Sequence, residues 1–227
     1  MYDKCFQRIE EKYLLSQAQK EELLRHVSNY VTRDKHFRSS MRNIYFDTVN
    51  FDLVARSIEK PIFKDKFRVR SYDDPAKSKE VFLEMKMKYK GISHKRRTRI
   101  SYEEYQSYLH DHDFDQHDLI WREIDYYFRY YDLRPMMYVA YDRESYAGTQ
   151  DENLRITFDA NLRSRMKNLE LTNDRGTQNY FDQPTCIMEI KMMHALPLWL
   201  ARALTELEIQ PTSFSKYGQI YRSMIGN

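Results

Sequence analysis

Eight stretches of this chain alternate apolar and polar residues with period two, and in nearly all of them the polar residue is Lys, Arg or Glu. They run from Phe6 to Tyr13, Arg42 to Asp47, Lys64 to Tyr72, Val81 to Tyr89, His94 to Ile100, Met136 to Tyr146, Leu154 to Asp159 and Thr185 to Met193. Successive side chains of a strand point to opposite faces, so this period predicts strands with one buried face. Eight antiparallel strands are enough to close into a small barrel. Between them, Ser16 with Gln19 and Ser101 with Glu104 have the spacing of helix-opening capping boxes. Further helices are expected over His117–Tyr131, Leu196–Leu207 and Phe214–Met224. With no repeat, low-complexity tract or linker in its 227 residues, the chain reads as one domain of α+β class, residues 1–227.

The charged residues fall on common faces. Arg8, Glu10 and Lys12 share one, as do Lys66, Arg68 and Arg70; Glu84, Lys86 and Lys88; Lys95, Arg97 and Arg99; Arg155, Thr157 and Asp159; and Glu189 with Lys191. Arg143 keeps the parity of Val139 and Tyr141. Two readings fit: a sheet with a solvated charged face, or a barrel whose apolar face is covered by helices outside while the charged face lines the lumen. In the second, so many like charges need a counter-ion, because an isolated buried ion costs several kcal/mol or more. A polyanion supplies it, leaving Glu10, Glu84 and Glu189 to hold a bridging divalent cation.

Composition removes several alternatives. The five glycines are scattered, so no glycine-rich phosphate loop exists, and any phosphate must be held by side chains. The net charge of +3 gives no general nucleic-acid affinity. Cys5 and Cys186 have no metal-type spacing and suit a reducing compartment, and no apolar run reads as a signal peptide or membrane span. The expectation is a cytoplasmic protein with no membrane insertion and no nucleic-acid partner. Tyr126–Tyr131 has aromatics at helical spacing that read as core, and the His and Asp residues of 110–118 read as a solvated stretch before a helix.

Eight motifs, in order, resemble a known family: RIEEKYL from Arg8, IYFDT from Ile44, KFRVR from Lys66, FLEMK from Phe82, SHKRR from Ser93, LRITFD from Leu154, IMEIK from Ile187 and FSKY from Phe214. The family is the VTC domain, the polyphosphate polymerase domain of the vacuolar transporter chaperones, within the CYTH or triphosphate tunnel metalloenzyme superfamily. The resemblance implies an eight-stranded antiparallel tunnel with a charged lumen and helices outside, ATP and polyphosphate as ligands, and Mn²⁺ or Mg²⁺ as cofactor. By the same resemblance the phosphate-gripping cations fall on Lys12, Arg68, Arg70, Lys86, Arg143, Arg155, Lys191 and Lys216, with Ser215 a further contact and Lys95, Arg97 and Arg99 as additional tunnel cations. Lys86, Arg155, Lys191 and Glu189 are the expected catalytic set, Glu189 carrying the metal with Glu10 and Glu84. The superfamily's opening Glu-x-Glu-x-Lys reads Arg8-x-Glu10-x-Lys12 here, which favours holding phosphate over activating water.

The chemistry implied is transfer of the γ-phosphate of ATP to a growing polyphosphate chain, which depends on positioning and charge neutralisation. Two other readings stay open: a non-catalytic polyphosphate- or nucleotide-binding subunit, and a metal-dependent hydrolase of tripolyphosphate or nucleoside triphosphate. In the fungal proteins this domain accompanies membrane helices, so a membrane-protein partner at the inner face of a membrane is a further expectation.

Overall fold

Strands and helices follow one another along the chain as β1 (Ile9–Ser16), α1 (Gln17–His26), β2 (Val31–Asp47), α2 (Asp52–Ile58), β3 (Phe63–Tyr72), α3 (Pro75–Ser78), β4 (Glu80–Tyr89) and β5 (Ile92–Ser101). Then come α4 (Tyr102–Asp111), α5 (Leu119–Tyr131), β6 (Arg134–Gly148), β7 (Arg155–Arg165), β8 (Gln178–Asn179), β9 (Thr185–Met192), α6 (Leu198–Glu206) and α7 (Lys216–Ile225). The computed structural model describes residues 9–90, 92–111 and 118–226. Arg8 and the His/Asp stretch through His117 therefore lie outside the described residues, apart from the backbone of 110 and 111, which ends α4.

The strands form one antiparallel sheet in the order β1-β9-β7-β6-β2-β3-β4-β5, with the two-residue β8 beside β7. Among the described residues nine strands replace the expected eight, because β7 runs on to Arg165 and pairs Arg163 with Asn179 beyond the alternating stretch. Among the described residues β1 and β5 end this order, and no pairing between them closes it into a barrel. The backbone divides into two compact units. The first holds the chain up to Ser39 with Tyr141–Leu162 and Phe181–Phe214; the second holds Ser40–Ala140, Arg163–Tyr180 and the chain from Ser215.

In the first unit the apolar face carries Tyr13, Leu15, Ile156, Phe158, Met188 and Ile190, buried against Leu23 and Val27 around α1 and Leu200 and Leu204 of α6. The Ser16 capping box forms as expected: its hydroxyl accepts from Gln19 N at 3.2 Å and its own N–H donates to Gln19 Oε1 at 3.1 Å.

In the second unit Phe67, Val69, Leu83 and Met85 are buried with Trp121, Ile124 and Phe128 of α5 and with Tyr105 and Tyr108 of α4. Ser101 opens α4 by the expected reciprocal bonds with Glu104, and Asp118 caps α5 through Ile120 N at 2.9 Å. In both units, therefore, the helices cover the apolar parity of the strands and leave the charged parity to other partners. α2 has no side-chain cap of its own, because Phe51 precedes it at φ 60°. Asp47, at the end of β2, takes that role, accepting from Leu53 N at 2.9 Å and Val54 N at 3.0 Å. No helix among the described residues is long and apolar enough to cross a membrane.

Phe128 packs with ring centroids 4.6 Å from Phe46 and 5.8 Å from Phe67. Phe128→Ala should cost about 3–5 kcal/mol of stability, as truncation of a buried aromatic does. A urea titration giving an unchanged midpoint would show that α5 is not anchored by this ring.

Candidate functional site

The register of the second unit sets the expected cations side by side. Arg68 of β3 faces Glu84 of β4, which faces Arg97 of β5. One step along the strands Lys66, Lys86 and Lys95 form a row, and on the other side Arg70, Phe82 and Arg99 form another. Glu84 is 3% exposed and is the centre of this face. Its Oε2 accepts from Arg68 Nε at 2.7 Å and Nη2 at 2.5 Å, its Oε1 accepts from Lys95 Nζ at 2.6 Å, and Arg70 Nε is 4.0 Å away. Burial pushes the Glu84 carboxyl up, but Arg68, Arg70 and Lys95 outweigh it and hold the group well below the usual carboxylate range. Desolvation, with repulsion from Arg68 and Arg70, outweighs the attraction of Glu84 and brings the Lys95 ammonium down to about 8.

Neighbours on the same face orient the arginines. Arg70 Nε donates to Asn43 Oδ1 at 2.9 Å, and Arg68 Nη1 donates to Tyr45 Oη at 3.3 Å. Tyr45 stacks on Tyr217 with centroids 4.4 Å apart, and Tyr217 Oη donates to Asp47 Oδ2 at 2.9 Å. Ser215 caps α7 by accepting from Gly218 N at 3.2 Å, and the same hydroxyl accepts from Lys66 Nζ at 2.8 Å. Lys216 is the first residue of that helix.

The first unit gathers the remaining cations around Glu189. Lys12 faces Glu189 across β1 and β9, and Arg155 faces Lys191 across β7 and β9. Lys12 Nζ lies 3.3 Å from both Glu189 Oε1 and Glu10 Oε1, Lys191 Nζ is 3.2 Å from Glu189 Oε2, and Arg143 Nη2 is 3.9 Å from it. Arg143 is held by Asp159 in a two-point contact of 2.6 and 2.8 Å. Burial opposes the charge of Arg143, but Asp159 overrides it and raises the guanidinium well above its ordinary value. Arg155 bonds Asp34 at 2.6 Å, and Ser145 joins them, accepting from Arg155 Nε and donating to Asp34 Oδ2.

The two faces differ in balance. In the first unit Lys12, Arg143, Arg155 and Lys191 meet Glu10, Asp34, Asp159 and Glu189 one for one. In the second, the same parity of β3, β4 and β5 carries Lys64, Lys66, Arg68, Arg70, Lys86, Lys88, Lys95, Arg97 and Arg99 with the carboxylates Glu80 and Glu84, while Asp47 is committed to α2. Glu10 and Glu189 converge on one ammonium, so this pair fits a cation between them; a hard divalent ion takes carboxylate plus phosphate oxygens in such a place. Glu84 has both oxygens engaged by cations. Among the described residues no three His, Cys, Asp or Glu side chains form a metal-type group. Asp34, Asn43, Tyr45 and Asp159 are the partners that residue patterns did not disclose. Asp159 alone carried a signal, its parity with Arg155.

The family model described as the VTC domain matches residues 7–225. No curated protein matches the chain. Two solved structures share its fold. One, a candidate adenylate cyclase from Bacillus halodurans, is 14% identical with a TM-score of 0.56, covering 92% of this chain and 95% of its own. The other, a candidate adenylate cyclase from Vibrio parahaemolyticus, is 13% identical with a TM-score of 0.51, covering 95% of this chain and 98% of its own.

Because the Glu84 carboxyl is depressed in the folded state, it contributes stability above the ordinary carboxylate range, near pH 4.3, and that contribution is lost as pH falls below it. Glu84→Gln should therefore cost about 3–5 kcal/mol at neutral pH. The gap from the parent should narrow below about pH 4. Urea midpoints measured across pH test this; a gap that stays constant in acid would mean the carboxylate charge is not what holds the face.

Proposed function

We propose that this chain, which belongs to the VTC domain family, is an ATP-dependent polyphosphate polymerase, a phosphotransferase that lengthens a polyphosphate chain held by Lys and Arg side chains of its sheet. The single-domain organisation that the sequence suggests is part of this proposal. The observation that carries it is the cation-rich face of the second unit, where the register of β3, β4 and β5 sets nine Lys and Arg residues at one parity with two carboxylates, Glu80 and Glu84.

In the reaction a terminal phosphate oxygen of the growing chain attacks the γ-phosphorus of ATP. The bond from that phosphorus to the bridging β–γ oxygen breaks, and ADP leaves with the electron pair. The nucleophile is already ionised, so no general base is required. Arg68 and Arg70 present planar guanidinium forks to the phosphate oxygens, while Lys86, Lys95 and Lys216 act as point charges. Ser215 supplies a hydroxyl at the start of α7. Lys12, Arg143, Arg155 and Lys191 neutralise charge as it moves to the leaving oxygen. Glu189 and Glu10 are the residues to hold Mn²⁺ or Mg²⁺, which when bound offsets charge on the phosphates. Glu84 is assigned as the counter-ion that fixes Arg68 and Lys95. The protein is placed on the cytoplasmic side, with a membrane-protein partner taking up the product.

Incubation with ATP and Mn²⁺, followed by a gel stained for long polyphosphate, tests the reading. Chains are expected; free phosphate alone would make the protein a hydrolase, a cyclic nucleotide would make it a cyclase, and no product would leave a binding subunit. Lys86→Ala and Arg155→Ala should each lower synthesis about 10²–10³-fold. Glu189→Gln should abolish metal-dependent synthesis while ATP binding in chelator stays equal or tightens, because Lys12, Lys191 and Arg143 lose a competing carboxylate. Weaker ATP binding in that variant would instead make Glu189 a residue that orients those cations.

A further inference from the structure

The charged face of the second unit is interrupted at one end by aromatic side chains. By strand parity Tyr72 continues the row Lys66, Arg68 and Arg70 on β3, and Phe82 precedes Glu84 and Lys86 on β4. Their rings meet edge to face with centroids 5.5 Å apart and an interplanar angle of 85°. The Arg97 guanidinium lies 4.8 Å from the Phe82 centroid, and its Nη1 is 3.5 Å from Tyr72 Oη. Phe82 stands between Arg70 and Arg99 in register. The other aromatic pair of this face, Tyr45 and Tyr217, is buried and stacked on itself. Tyr72, in contrast, is 36% exposed.

We infer that Tyr72 and Phe82 form a nucleobase subsite, in which a purine stacks on Tyr72 while its phosphates run along Arg70 and Arg68. The inference rests on the polymerase reading and names where its nucleotide is recognised. Every base offers a flat π-face, and an aromatic ring held rigid by an edge contact and a guanidinium is a ready platform for it. Spacing agrees with this assignment. At a strand rise of about 3.3 Å per residue, Arg70 and Arg68 lie roughly 7 and 13 Å along β3 from Tyr72. A sugar thus has room between the stacked base and the first guanidinium. A ligand without a base, such as tripolyphosphate, uses the cations and leaves the aromatic pair untouched.

Calorimetric titration of the full chain with a non-hydrolysable ATP analogue and, separately, with tripolyphosphate tests the subsite. Tyr72→Ala and Phe82→Ala should each weaken the analogue about ten-fold, the scale of one base–aromatic stack. Tyr72→Phe should bind it as the parent does, and tripolyphosphate should bind all four proteins alike. If the analogue binds Tyr72→Ala unchanged, or if tripolyphosphate weakens in step with it, the pair only supports Arg97 and the inference falls alone. A parent that binds neither ligand overturns the polymerase reading and the subsite with it.

Discussion

A sheet face crowded with Lys and Arg holds its shape only if carboxylates stand among the cations, and here Glu84 is the one on which the second unit depends. It is buried, it accepts from Arg68 and Lys95, and Arg70 is just beyond. Charges of one sign at neighbouring strand positions repel one another. A single carboxylate at the middle of the grid converts that repulsion into a fixed geometry. The opposite face of the same strands is a conventional apolar core under α4 and α5, so the hydrophobic side supplies the stability that an excess of charge consumes.

The contrast between the two faces carries the functional argument. Where Lys12, Arg143, Arg155 and Lys191 are matched by carboxylates, an anion gains little from the cations alone. That is the place where Glu10 and Glu189 converge and where a divalent ion would tip the balance toward phosphate. Where cations outnumber carboxylates, a polyanion needs no such help. The reading thus divides labour between a face that grips and a face that depends on metal.

Strand existence was legible in the sequence because the charged parity is nearly unbroken from Lys66 to Arg70 and from Glu84 to Lys88. Both capping boxes were legible for the same local reason: their partners are three residues apart. The first half of β2 was not, since Thr32 to His36 is polar on both parities and offers no alternation. Nor was α2, whose capping carboxylate, Asp47, comes from the preceding strand rather than from the position before the helix. The site followed the same rule. The shared faces of the cations were readable from parity, whereas Asp34, which holds Arg155, and Asn43, which holds Arg70, reach them from distant segments and depend on strand order.

The Arg155–Asp34–Ser145 cluster has a consequence for the thermodynamics of any anion that reaches it. Arg155 already has a carboxylate partner, so an incoming phosphate exchanges one ion pair for another. The charge it neutralises is the surplus of cations over carboxylates, and the entropy released from its own ion atmosphere scales with that surplus. On such a face, affinity falls with rising salt less steeply than the number of Lys and Arg side chains alone would set.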